Sequence, residues 1–180
     1  MKPRGPLMTE HRLIEKMLNI IEKELDMIKK NNTMNPVFID TIVDFIKIYA
    51  DRTHHGKEED ILFYKLKNKN LSAEDDRMMQ ELVSDHTAAR KMVSGLIEAN
   101  KKYVNGDSSG IKTIIELLSE LISFYPPHIL KEDKIFFPNT EKYFSNDEMD
   151  EMLYDFWEFD KKMIHEKYNA LYESLKDKYQ

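Results

Sequence analysis

Apolar residues return every three or four positions along most of this chain, a spacing that suits one face of an amphipathic helix and not a strand. The first run begins near Thr9 and puts Ile14, Leu18, Ile21, Leu25 and Ile28 on one stripe before Asn31-Asn32 stops it. A second opens at Asn35-Pro36 and carries Ile39, Val43, Ile46 and Ala50 toward Ile61. The third follows Ser72-Ala73-Glu74-Asp75, a capping box with Asp in the usual Glu or Gln place, and runs through Met79, Leu82, Val83, Val93 and Leu96. The fourth follows a polar, glycine-containing break at 105–110 and carries Ile111, Ile114, Leu118, Leu121, Tyr125 and Ile135. The fifth starts at a second capping box, Ser145-Asn146-Asp147-Glu148, and carries Met149, Leu153, Phe156, Trp157 and Met163.

With 5 glycines and 6 prolines in 180 residues, the chain has little material for turns. The expected fold is all-α: an up-down four-helix bundle over about 9–138, with an additional C-terminal fifth helix over about 146–178. A chain of this length suits one sizeable core, so 1–180 is read as a single domain.

Each of the first four stripes contains a histidine: His11, His54, His86 and His128. Two of these are followed four residues later by a glutamate, Glu58 after His54 and Glu132 after His128. The pattern is an internal repeat. EHRLIEKML (Glu10 to Leu18) pairs with DHTAARKMV (Asp85 to Val93), and HHGKEEDILF (His54 to Phe63) pairs with HILKEDKIFF (His128 to Phe137). The offsets, 86 − 11 = 75 and 128 − 54 = 74 residues, agree within one.

Residues four apart on a helix lie one above the other, so each His-x-x-x-Glu can reach one central point as a chelate. His11 and His86 would supply the opposing faces, which collects four imidazoles and two carboxylates where helical bundles build metal sites. Any one of these histidines alone reads better as an ordinary half-buried core residue, and either glutamate alone as one that extends outward. Six in register reverse that preference, because a carboxylate on an apolar stripe costs several kcal/mol unless compensated, and no Lys or Arg stands obviously opposite. The candidate ligands are therefore His11, His54, Glu58, His86, His128 and Glu132. Shared between two ions, they give about two histidines and a carboxylate each, which suits non-heme iron with open positions; manganese or zinc fit the same donor types.

Two spacings leave alternatives. His55 and Glu59 repeat the four-residue interval one position along, but His55 continues the polar line through Asp51 and Arg52, so it is expected beside the site or exposed. Asp133 could replace Glu132, although five residues rotate it away from the face of His128.

The net charge of −6, without a basic block, argues against nucleic acid or an anionic membrane as partner. Absence of cysteine excludes thiolate ligands and thiol nucleophiles. MKPRGPLM runs directly into TEHRLIEK with no apolar stretch for a signal or a span, so the cytoplasm is the expected location. Neither the Glu-x-x-His of ferritin-like diiron proteins nor the His-Glu-x-x-His of zinc hydrolases occurs.

The helix-borne His-x-x-x-Glu followed by an apolar, aromatic run, in HHGKEEDILF and HILKEDKIFFP, resembles the hemerythrin-like (HHE) family over about Thr9 to Pro138. The resemblance implies two non-heme irons, oxo- and carboxylate-bridged, held by the six residues above, with both glutamates spanning the pair. It implies binding or sensing of a small diatomic ligand such as O2, or else oxidoreductase chemistry on peroxide or nitric oxide, or iron handling. No catalytic residue and no protein partner can be named. Oxygen-carrying members have a further histidine four residues after the third-helix one, where this chain has Arg90. Pro126-Pro127, directly before His128, are expected to kink helix four. His165, in the fifth helix, has no place in the family motif.

Overall fold

The computed structural model describes residues 2–176, without the side chains of 164–166 or of residues after 167. These residues are all-helical. Helix α1 is Arg4–Asn31, α2 spans 36–66, α3 is Ala73–Val104, α4 spans 109–140 and α5 is Asn146–Lys176.

Helix α1 starts five residues earlier than the periodicity suggests. Pro6 lies in its first turn, where a backbone N–H needs no helical partner, and Leu7 is wholly buried there. Asn32 ends the helix in the left-handed conformation, φ 51°, and donates its N–H to the Ile28 carbonyl. Asn35 caps α2 by accepting from Val37 N–H at 3.0 Å. The Ser145 box is reciprocal: Glu148 N–H donates to Ser145 Oγ at 3.2 Å, and Ser145 N–H donates to Glu148 Oε2 at 2.9 Å.

The box at Ser72 is only half formed. Ser72 Oγ accepts from Asp75 N–H at 3.1 Å, but the Asp75 carboxylate does not reach back to Ser72 N–H, which donates instead to the Tyr143 hydroxyl. Asp75 accepts at Oδ2 from Ser72 Oγ, Lys142 Nζ and the Tyr143 hydroxyl, at 2.8, 2.9 and 2.6 Å. A buried aspartate thereby ties the start of α3 to the turn at Glu141–Tyr143. Burial alone would raise its pKa, and these three donors lower it overall. Asp75→Ala should therefore cost about 1.5–3 kcal/mol near neutral pH. Because the folded-state pKa is depressed, that loss should be full above the ordinary carboxylate range and fade as pH falls through the folded value. Urea titrations of both chains at pH 7 and at low pH would measure it.

Helices α1 to α4 pack as successive neighbours, and α4 closes back on α1. They alternate in direction, since the residues they bring to each apolar cluster run in opposite order along successive helices. One cluster gathers Ile14–Ile28 of α1, Ile39–Ala50 of α2, Ala89–Ala99 of α3 and Ile111–Ile129 of α4. The other gathers Leu7, Ile61–Leu66, Met79, Leu82, Phe136 and Phe137, together with Met152 and Phe156 of α5. Helix α5 packs against α2. At Gly110 a Cβ would lie 2.6 Å from the Ala99 carbonyl oxygen, so only glycine admits this close crossing of α3 and α4.

Val83, Ile135 and Trp157, placed on inner stripes by spacing, are exposed. Each adjoins a buried residue, Leu82, Phe136 or Phe156, that takes the inner place instead. Helix α4 runs through Pro126 and Pro127 without a break. Among the described residues no helix is long and apolar enough to cross a membrane.

Candidate metal centre

Between the two apolar clusters lies one polar layer, made of His11, His54, His55, Glu58, His86, His128 and Glu132, each no more than 3% exposed. All six residues expected from spacing are there. His11 Nε2 lies 3.1 Å from Glu132 Oε2, and His128 Nε2 lies 3.3 Å from the same oxygen. His86 Nε2 is 3.5 Å from Glu58 Oε2 and 3.8 Å from Glu132 Oε1, while His54 Nε2 is 3.5 Å from Glu58 Oε1.

Despite these distances, none of those atoms has a hydrogen-bond partner. The Nε2 atoms of His11, His54, His86 and His128 and all four carboxylate oxygens of Glu58 and Glu132 are buried and unsatisfied. Leaving so many polar atoms unmet in one place is costly. A cation at the centre satisfies them together, so the residues present fit the metal that their chemistry implies.

The opposite ring nitrogens are all engaged. His11 Nδ1 meets Asp133 at 2.7 Å, His54 Nδ1 meets Glu10 at 2.8 Å, His86 Nδ1 meets Glu59 at 2.7 Å and His128 Nδ1 meets Asp85 at 3.2 Å. An ionised carboxylate can only accept, so Nδ1 carries a proton and Nε2 is the nitrogen that faces inward, the arrangement that orients metal-binding histidines. Each acid comes from a neighbouring helix and adjoins an inward-facing residue in sequence. Asp133 therefore positions His11; it does not compete with Glu132. Sequence reasoning missed these four acids as a set, although the repeat displays them as the acid before His11 and His86 and the acid after Glu58 and Glu132.

Burial is the largest influence on Glu58, and with Glu132 beside it the carboxyl is pushed well above the ordinary range. Glu132 feels the same burial, but His128, His11 and His86 outweigh it and hold its pKa well down. Burial disfavours a charge on His11, yet Asp133 and Glu132 together raise it to about 9. Without a metal the layer thus stores protons on Glu58 and His11, and a cation must displace them.

Of the two places the sequence left open, beside the site or exposed, His55 takes the first. It is buried, its ring stacks on that of His86 with centroids 3.8 Å apart, and its Nδ1 faces Asp51 Oδ1 at 3.3 Å. Burial and the neighbouring His86 lower its pKa to about 3, so the ring is neutral. The physical reason is the winding of α2, whose segments Ile46–His55 and Glu58–Phe63 have wide, π-type turns. In such turns adjacent residues can share the inner face, and an argument from a 3.6-residue period does not apply. The donor atoms form two groups, one from His11, His54, Glu58 and Glu132 and one from His55, His86 and His128, each with its atoms within 4.8 Å of one another.

Arg90 stands over this layer from outside, donating to Asp51 and Glu59 at 2.8 Å each. Lys57, wholly buried, pairs with Glu10 and, at 2.7 Å, with Asp160 of α5. A pocket of about 220 Å³, lined in part by Ile46, Ala89, Val93 and Arg90, reaches His55 and Tyr125, whose buried hydroxyl has no partner. The side chain of His165 lies outside the described residues.

Helical scaffold, buried His-Glu layer and carboxylate-oriented imidazoles together define a cation-binding helical protein. The family model of the hemerythrin HHE cation-binding domain matches residues 4–140, and the chain belongs to that family. No curated protein and no solved structure matches it.

Proposed function

We propose that this protein is a non-heme diiron protein that binds or senses a small ligand such as O2. The single observation behind the reading is the set of inward-facing, unsatisfied Nε2 and carboxylate atoms in one buried layer. In this reading His11 and His54 would hold one ion and His86 and His128 the other, with Glu58 and Glu132 supplying carboxylates to the pair. Nitrogen and oxygen donors in this proportion favour iron and leave positions for an exogenous ligand, the iron supplying reversible ligand binding or electron transfer. The chain's own part is to orient the imidazoles, exclude bulk water by burial, and hold the protons that leave on loading.

A diiron oxidoreductase acting on peroxide or nitric oxide is the second reading, supported by the Tyr125 hydroxyl left unpartnered at the end of the pocket. Metal analysis of protein purified without added metal, with absorption spectra of the reduced form before and after air, tests both. The expected result is about two irons per chain and a charge-transfer band that appears in air and reverses under vacuum. Irreversible oxidation, with turnover when a reductant and peroxide are supplied, selects the oxidoreductase. Two equivalents of manganese or zinc and no iron would overturn the diiron assignment, and no bound metal even after anaerobic loading would overturn the reading altogether.

A further inference from the structure

We propose that His55 is a seventh metal-binding residue, which makes the two ion sites unequal: three imidazoles on the His86 side and two on the His11 side. The proposal rests on the diiron reading above. His55 is 2% exposed, and its donor atom falls with those of His86 and His128 in a group separate from the one containing His11 and His54. Because Asp51 faces Nδ1 at 3.3 Å, Nε2 is the nitrogen left for a metal.

The surroundings explain why this donor comes from α2. On α3, four residues after His86, the inward direction is not used: Arg90 extends to the surface and clamps Asp51 and Glu59. Those two acids are the partners of His55 Nδ1 and His86 Nδ1. A single guanidinium thus fixes both acids behind a stacked pair of imidazoles that approach from two different helices. The wide turns of Ile46–His55 let His54 and His55, adjacent in sequence, both face the layer, each toward a different ion.

Cobalt(II), added anaerobically to the metal-free chain, is the probe. The unaltered protein should bind two ions per chain and show five paramagnetically shifted, exchangeable imidazole N–H proton resonances, one for each Nδ1–H. His55→Ala and His55→Gln should each show four, with one ion bound as before and the other weakened at least about 10-fold. Circular dichroism of the metal-free variants checks that both fold, and two substitutions of different size guard against a packing defect in either. His54→Ala should instead weaken the opposite ion and leave the His55 resonance in place. Two equally tight ions and an unchanged number of resonances in both His55 variants would overturn the seventh donor while leaving the two-metal reading intact. Failure of the unaltered protein to bind cobalt would sink the two-metal reading, and this proposal with it.

Discussion

Stripping the protein with a chelator and restoring ferrous iron without oxygen should raise its thermal unfolding midpoint by roughly 10 °C. A ligand that binds only the folded chain, at about 1,000 times its dissociation constant, adds about 4 kcal/mol to stability. For a chain of this size each kcal/mol moves the midpoint by roughly 2–4 °C. The gain should be large here because the donors exist as a set only after folding: His11, His54 and Glu58, His86, and His128 and Glu132 come from four different helices. The gain should also shrink as pH falls. A cation must displace the proton on His11, held up to about 9, and the one on Glu58, so acid conditions favour the protonated layer over the loaded one. Scanning calorimetry at pH 8 and pH 6, with and without iron, would measure both effects, and a midpoint indifferent to metal would contradict them.

Glu58→Leu should act in opposite directions on the two forms. Leucine has comparable volume and no polar atoms, and both oxygens of Glu58 are buried without partners in the metal-free protein. Removing an unsatisfied buried carboxyl should stabilise the metal-free chain by about 1–3 kcal/mol. The sign follows from linkage: the folded-state pKa of Glu58 is raised, so folding takes up a proton there and is penalised increasingly as pH rises above the unfolded value. The stabilisation should therefore be smallest near pH 4 and grow as pH rises toward the raised folded-state value. The same substitution should abolish the metal-dependent gain, because one of the two carboxylates spanning the layer is lost. Urea titrations of both chains, chelated and loaded, give all four numbers; a Glu58→Leu chain less stable than the parent when both are metal-free would refute the argument.

The helices and the six inward residues were legible because they recur at three- and four-residue spacings, which sequence displays directly. Ala50, His54 and Glu58 continue the stripe of Ile39, Val43 and Ile46, and all are buried. His55 was not legible because its placement depends on a change of winding at Ile46–His55, which no residue type there announces. The start of α1 at Arg4 was hidden for a related reason, since Pro3, Gly5 and Pro6 discourage a helix everywhere except in its first turn. The carboxylates behind the histidines lay in plain view beside each ligand, but which acid serves which histidine depends on helix neighbours, and that is a property of packing.

Those pairings have a mechanical meaning. His11 on α1 is held by Asp133 on α4, His128 on α4 by Asp85 on α3, His86 on α3 by Glu59 on α2, and His54 on α2 by Glu10 on α1. The circuit closes on itself, like a hoop around a barrel. Prying any two adjacent helices apart at this level must break a link of the hoop. The clusters on either side are joined by apolar contact, which permits sliding and repacking. The bundle is thus girdled at its middle, and the cage it offers a cation is set by the circumference of that girdle more than by the flexibility of any one side chain.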